Sequence, residues 1–116
     1  MKLKAAILGA TGMVGQKFIQ LLQDHPYFEV SEVLASPRSA GKTYREAVEG
    51  KWREPTDIPE SVEGLTVKSV EDKNIKADIV FSALDSSIAY ETEEAFASAG
   101  FKVVSNAKSH RFDEDV

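Results

Sequence analysis

Residues 9–15 read GATGMVG, three glycines spaced G-x-x-G-x-x-G. The short apolar run Lys4–Leu8 (KAAIL) precedes them and an amphipathic stretch follows. Such a turn between a buried strand and a helix constrains the fold more than any other feature of the chain. Gly9 permits a tight turn out of the strand, Gly12 lets backbone approach a pyrophosphate, and Gly15 lets the helix lie close on the strand. The N–H groups of Thr11, Gly12, Met13 and Val14 are expected free at the helix start, where they and the helix dipole favour an anion. The spacing has one residue more between the first two glycines than G-x-G-x-x-G. It therefore names a cofactor class, the dinucleotides, and no reaction.

The rest of the chain alternates strand and helix patterns. From Gly15 to His25 the pattern is helical, with Val14, Phe18, Leu21 and Leu22 expected on its inner face and Pro26 marking its end. Phe28 to Ala35 reads as a second strand, broken by Ser36 and Pro37. Ser39–Gly64 is irregular, long for a structureless connection, and predicts one short helix around Tyr44 to Val48. Leu65–Val70 and Ala77–Leu84 read as strands, the second continuous, β-branched and aromatic. Ser86 and Ser87 suit the N-cap of a helix whose inner face would be Ile88, Thr92, Ala95, Phe96 and Ala99, with Gly100 at C′. Phe101–Ser105 is a fifth strand. The order β-α-β-excursion-β-β-α-β predicts an α/β fold, a doubly wound parallel sheet in the order 3-2-1-4-5 with helices on both faces.

An NAD-selective site places an acid at the tip of the second strand, on the ribose 2′-OH. Here that tip reads Ser36-Pro37-Arg38-Ser39, with Lys42 close behind. A guanidinium between two hydroxyls matches phosphate oxygens, so the expected cofactor is NADP. Ser82 and Ala83 end the fourth strand on the same carboxyl edge, where open α/β sheets bind ligands. Bordering the cofactor ribose is one role for that tip, and capping the next helix is the alternative for Asp85 to Ser87. Ser105 and Asn106 end the fifth strand, with a phosphate contact and a plain turn both open. Tyr44 and Trp52 are expected to pack the excursion onto the domain or a partner.

Composition narrows the functions further. The 116 residues have the length of one domain, and a net charge of −5 gives no general pull toward nucleic acid or anionic membrane. No apolar run approaches the length that spans a bilayer; a cytoplasmic protein is expected. The absence of cysteine removes disulfides, thiolate metal sites and cysteine nucleophiles from these residues. Two histidines, His25 and His110, make no metal site. Asp113, Glu114 and Asp115 read as a solvated charge cluster, and no role is assigned to His110 between Lys108 and Arg111.

Four segments together resemble one family: GATGMVGQKFIQLL, ASPRSAGK (Ala35 to Lys42), DIVFSALDSS and VVSNAKSHR. The resemblance is to aspartate-semialdehyde dehydrogenase, in its archaeal and fungal-like branch, and covers essentially the whole chain. It implies an N-terminal Rossmann domain followed by a domain for catalysis and dimerisation. It also implies reduction of L-aspartyl 4-phosphate to aspartate 4-semialdehyde by NADPH, on the route to lysine, methionine, threonine and isoleucine, by a homo-oligomeric enzyme. Carried over by position, Thr11, Gly12, Met13 and Val14 match the dinucleotide-phosphate loop. Ser36, Arg38 and Ser39 match the 2′-phosphate grip, Ser82 and Ala83 the strand tip near the cofactor, and Asn106 the phosphate end of the site.

The family's cysteine nucleophile, catalytic histidine and substrate arginine have no counterpart here. The expectation is a Rossmann-like sheet truncated after about five strands, an incomplete dinucleotide-binding domain spanning 1–116, with no turnover of its own and marginal stability or self-association. Archaeal malonyl-CoA reductase resembles the sequence as well, and N-acetyl-glutamyl-phosphate reductase does so more distantly. A non-catalytic NADP-binding or redox-sensing module, or a folded segment that binds nothing, also fits a chain without cysteine.

Overall fold

The computed structural model describes residues 3–23, 25–54, 57–72, 74–84 and 86–105, with backbone alone at 86–88 and 105. Five strands form one parallel sheet: β1 (Leu3–Leu8), β2 (Phe28–Ala35), β3 (Val67–Ser69), β4 (Ile79–Ser82) and β5 (Val103–Ser105). Their order is β3-β2-β1-β4-β5, as the sequence predicts. Helix α1 (Met13–Leu22) joins β1 to β2, α2 (Tyr44–Ala47) and α3 (Glu60–Glu63) lie in the excursion, and α4 (Ser86–Ser98) joins β4 to β5.

The central strand explains the layering. Successive side chains of β1 point to opposite faces, and Ala5 to Leu8 are all fully buried. Ala5 and Ile7 share one core with Ile19 and Leu22 of α1, Tyr44 of α2 and Val62 of α3. Ala6 and Leu8 share the other with Leu34, Val80 and Phe96 of α4. A strand covered on both sides needs the continuous apolar run that KAAIL supplies. Between Ala5 and Ala6 the register against β2 slips past Ser31, whose hydroxyl donates to the Lys76 carbonyl at 2.9 Å.

Both long helices are rotated from their expected phase. On α1 the buried residues are Gly15, Gln16, Ile19 and Leu22; Phe18 is half-buried, while Val14 and Leu21 are exposed. Gly15 sets this phase. A Cβ there would lie 2.1 Å from the Gly9 carbonyl oxygen, so the glycine itself must face the strand exit. The side chains that follow it inward are those one position on from the apolar pattern. On α4, Ala89, Glu93 and Phe96 are buried, Thr92 is half-buried, and Ala95 and Ala99 are exposed. Phe96, the bulkiest apolar residue described on that helix, fixes its inner line at i−3 and i−7. Gly100 ends the helix at φ +100°, where a C′ glycine belongs.

Element ends differ too. Helix α1 begins at Met13 and stops at Leu22, ahead of Pro26, because Gln23 turns to extended backbone. Strands β3, β4 and β5 are shorter than the apolar runs that contain them. The expected short helix appears as α2, opened by a capping box in which Thr43 Oγ1 accepts the Glu46 N–H and Glu46 Oε1 accepts the Thr43 N–H. Helix α3, which no local pattern predicts, is tied to α2 by an Arg45–Glu63 ion pair.

Candidate cofactor site

The turn between β1 and α1 is bonded to both its neighbours. Gly9 leaves the strand at φ +76°, a conformation few side chains tolerate. Its N–H and that of Ala10 both donate to the Leu34 carbonyl of β2, at 2.9 and 3.0 Å. On the other side the Ala83 N–H donates to the Leu8 carbonyl at 2.9 Å, and a Cβ on Gly9 would stand 3.0 Å from the Ala83 oxygen. The glycine turn and the Ser82-Ala83 tip are therefore in contact.

The amides of this turn divide into used and free. The Gly12 N–H donates to the Gly9 carbonyl at 3.2 Å, so it is not among the free donors expected between Thr11 and Val14. The first helical bond runs from the Gln16 N–H to the Gly12 carbonyl at 2.9 Å, which leaves Met13 and Val14 without an intrahelical acceptor. Among the described residues, no side chain caps the helix start. A Cβ on Gly12 would meet only the Gly9 oxygen, at 3.6 Å, so the approach to these donors is open. Met13 and Val14 side chains are exposed beside it, Met13 to 72%.

Ser36 and Arg38 are exposed and Ser39 is half-buried, on the turn that leaves β2. The Ser39 N–H donates to the Ser36 carbonyl at 2.9 Å, and the Ala40 N–H to Pro37 at 3.2 Å. The loop is then pinned to β3 by the Gly41 N–H on the Val67 carbonyl and the Val67 N–H on the Lys42 carbonyl, at 2.8 and 2.7 Å. Arg38 has no carboxylate partner among the described residues. Its guanidinium is left available to an anion, three residues beyond the end of the strand that holds the glycine turn.

Ser82 is fully buried, and its Oγ has no hydrogen-bond partner among the described residues. A buried orphan hydroxyl costs about 1–3 kcal/mol, and this one lies on the carboxyl edge next to Ala83. Asn106 and Asp85 lie outside the described residues, as do His110 and the acidic cluster at 113–115.

Two supporting residues carry more of the site than the sequence discloses. Tyr44, fully buried, donates its hydroxyl to the Ala10 carbonyl at 2.7 Å and packs edge-on against Trp52. Burial, and then the Glu54 carboxylate, push the Tyr44 phenol well above its ordinary range. Gln16, also buried, donates from Nε2 to the carbonyls of Thr11 and Lys51, both at 3.0 Å, and accepts the Arg53 N–H on Oε1 at 2.8 Å. The excursion is thus joined to the glycine turn, not merely packed near it. The available signal for Gln16 was an amide on the helix line that carries Ile19 and Leu22.

A parallel α/β sheet, a glycine turn opening a helix with free amides, and an exposed arginine beyond the second strand define a dinucleotide-binding domain. The residues present fit such a cofactor: the turn is open above Gly12, and anion donors stand at two places along the carboxyl edge. The chain belongs to the semialdehyde dehydrogenase, NAD binding domain family, whose model matches residues 4–116. It is 47% identical over its whole length to an aspartate-semialdehyde dehydrogenase of Archaeoglobus fulgidus, covering 33% of that protein. It is 45% identical over 98% of its length to a malonyl CoA reductase (NADP) of Metallosphaera sedula, covering 31% of it. The crystal structure of aspartate semialdehyde dehydrogenase with NADP from Candida albicans superimposes with a TM-score of 0.86 at 44% identity, over 96% of this chain and 31% of that one. The chain spans about a third of the length of the curated relatives it matches.

Proposed function

We propose that these 116 residues are the NADP-binding portion of an aspartate-semialdehyde dehydrogenase. The observation that carries the cofactor choice is Arg38, exposed and without a carboxylate partner among the described residues at the tip of β2, where an NAD site would hold an acid. In this reading the amides of Thr11, Met13 and Val14 receive the pyrophosphate over the turn that Gly9 and Gly12 shape, and Ser36, Arg38 and Ser39 receive the 2′-phosphate. Ser82 and Ala83 form the strand tip that borders the ribose, and the family resemblance assigns Asn106 to the phosphate end of the site. The cofactor, when bound, supplies a hydride; this chain's part is to hold and orient it.

The parent reaction is reduction of L-aspartyl 4-phosphate to aspartate 4-semialdehyde, in the cytoplasm, by a dimer or tetramer. Identities of 42–47% to named aspartate-semialdehyde dehydrogenases support it. The 116 residues alone carry no thiol for a thioester and are expected to show no turnover. The 45% identity to the Metallosphaera enzyme supports a second reading, a malonyl-CoA reductase of the same architecture. Calorimetric titration with NADP and with NAD tests the cofactor assignment. NADP is expected to bind more tightly, and Arg38→Ala to weaken NADP by roughly 10- to 100-fold while sparing NAD. Equal losses for both would overturn it.

A further inference from the structure

We propose that Tyr44 and Gln16 are positioning residues for the anion-binding turn: they hold two consecutive carbonyls inward, so that Thr11 presents the donor amide. The inference rests on the cofactor reading above and adds how the excursion serves it.

The argument is one of peptide geometry. In a trans peptide the carbonyl of one residue and the N–H of the next point in opposite directions. The Ala10 carbonyl is drawn into the core by the Tyr44 hydroxyl at 2.7 Å, with both residues fully buried. The Thr11 N–H of the same peptide must then point away from the core. The next peptide is fixed as well: the Thr11 carbonyl accepts from Gln16 Nε2 at 3.0 Å, and the Gly12 N–H is taken by the Gly9 carbonyl. Of these two amides, only Thr11's remains for a ligand.

Neither clamp belongs to the turn alone. Gln16 is bonded to the excursion at Lys51 and Arg53, and Tyr44 is braced by Trp52 at a ring-centroid distance of 6.3 Å. The excursion acts as a bracket that presets the turn before any ligand arrives, which removes an ordering cost from binding. A carbonyl released from such a clamp can rotate into the space meant for a phosphate, replacing a donor with an acceptor.

Amide hydrogen exchange on the isotopically labelled 116-residue chain, with and without NADP, tests this. In the wild type, Thr11 is expected to gain protection on adding NADP, together with Met13 and Val14, while Gly12 is already protected without it. Tyr44→Phe keeps the ring against Trp52 and removes the hydroxyl. It is expected to abolish the gain at Thr11 and to weaken NADP about tenfold, with adenosine 2′-monophosphate, which has no pyrophosphate, bound as before. Unchanged protection and affinity in Tyr44→Phe would overturn the inference and leave the cofactor reading intact. No protection at any turn amide of the wild type would overturn the cofactor reading itself. Should Tyr44→Phe fail to fold, the wild-type comparison decides: Gly12 gaining protection while Thr11 does not would also overturn the inference.

Discussion

Three glycines in one turn do three different jobs, and substitution separates them. At Gly15 an added Cβ would overlap the Gly9 oxygen and lie 2.7 Å from the Ala10 Cα, both backbone atoms that cannot swing aside. Gly15→Ala is expected to destabilise the fold by about 3 kcal/mol or more, as severe overpacking does, measured by urea denaturation. At Gly12 the same methyl meets only the Gly9 oxygen at an ordinary 3.6 Å. Gly12→Ala is expected to leave stability within about 1 kcal/mol while weakening NADP, because the methyl stands over the open donors. Similar unfolding midpoints for the two variants would refute this division. The roles of Gly9 and Gly15 were legible in the sequence, since strand, spacing and helix agreed. The burial of Gln16 was not: its partners Lys51 and Arg53 lie far along the chain, and no local period reports a contact at that separation.

Among the elements, the excursion was the least legible and proves the most informative. Its two helices are one turn each, too short for periodicity to register, and they persist because tertiary contacts hold them. Helix α2 starts on the Thr43–Glu46 capping box. The hydrogen bonds from Thr43 hold the Glu46 carboxyl below its ordinary value. A carboxylate with a depressed folded-state pKa adds stability above its unfolded pKa and loses it as pH falls through the folded one. Glu46→Gln is therefore expected to flatten the loss of stability on acidification below about pH 4.5, read as the unfolding midpoint against pH. Tyr44 titrates with the opposite sign. Its folded-state pKa is raised, so its contribution is complete below the unfolded phenol value of about 10 and declines as pH climbs above it. Tyr44→Phe is expected to be less sensitive to alkali than the wild type between about pH 10 and 11 in the same measurement. The helix phases depart from the apolar pattern for a related reason. An amphipathic pattern names an apolar face, but in α1 a steric requirement at Gly15 outranks it by one residue.

The whole sheet was predictable because its rules are global: parallel strands, crossovers of one hand and a buried central strand leave few orders open. What the order does not reveal is how tightly the two cores depend on each other. They lie on opposite faces of the sheet, with Ile7 on one side of β1 and Leu8 on the other. Trp52, the only tryptophan, packs on the Ile7 side, so its fluorescence reports that layer alone. Ile7→Ala and Leu8→Ala are each expected to cost about 2–5 kcal/mol. If the layers unfold as one, Leu8→Ala shifts the Trp52 transition as far as it shifts the circular dichroism. Two separated transitions would show that each layer melts independently.

The Leu34 carbonyl accepts from Gly9 and Ala10 together. That one oxygen fastens the turn after β1 to the strand whose end becomes the Ser36–Ser39 loop. On the proposed reading the two anion stations are thus mounted on a common rail, with only Ala35 between the fastening and Ser36, where the second station starts. Their separation is a fixed gauge, set by covalent chain instead of by two independently moving loops. On that reading a ligand is judged on length as much as on charge, and one bearing the right phosphates at the wrong interval is expected to reach either station but not both.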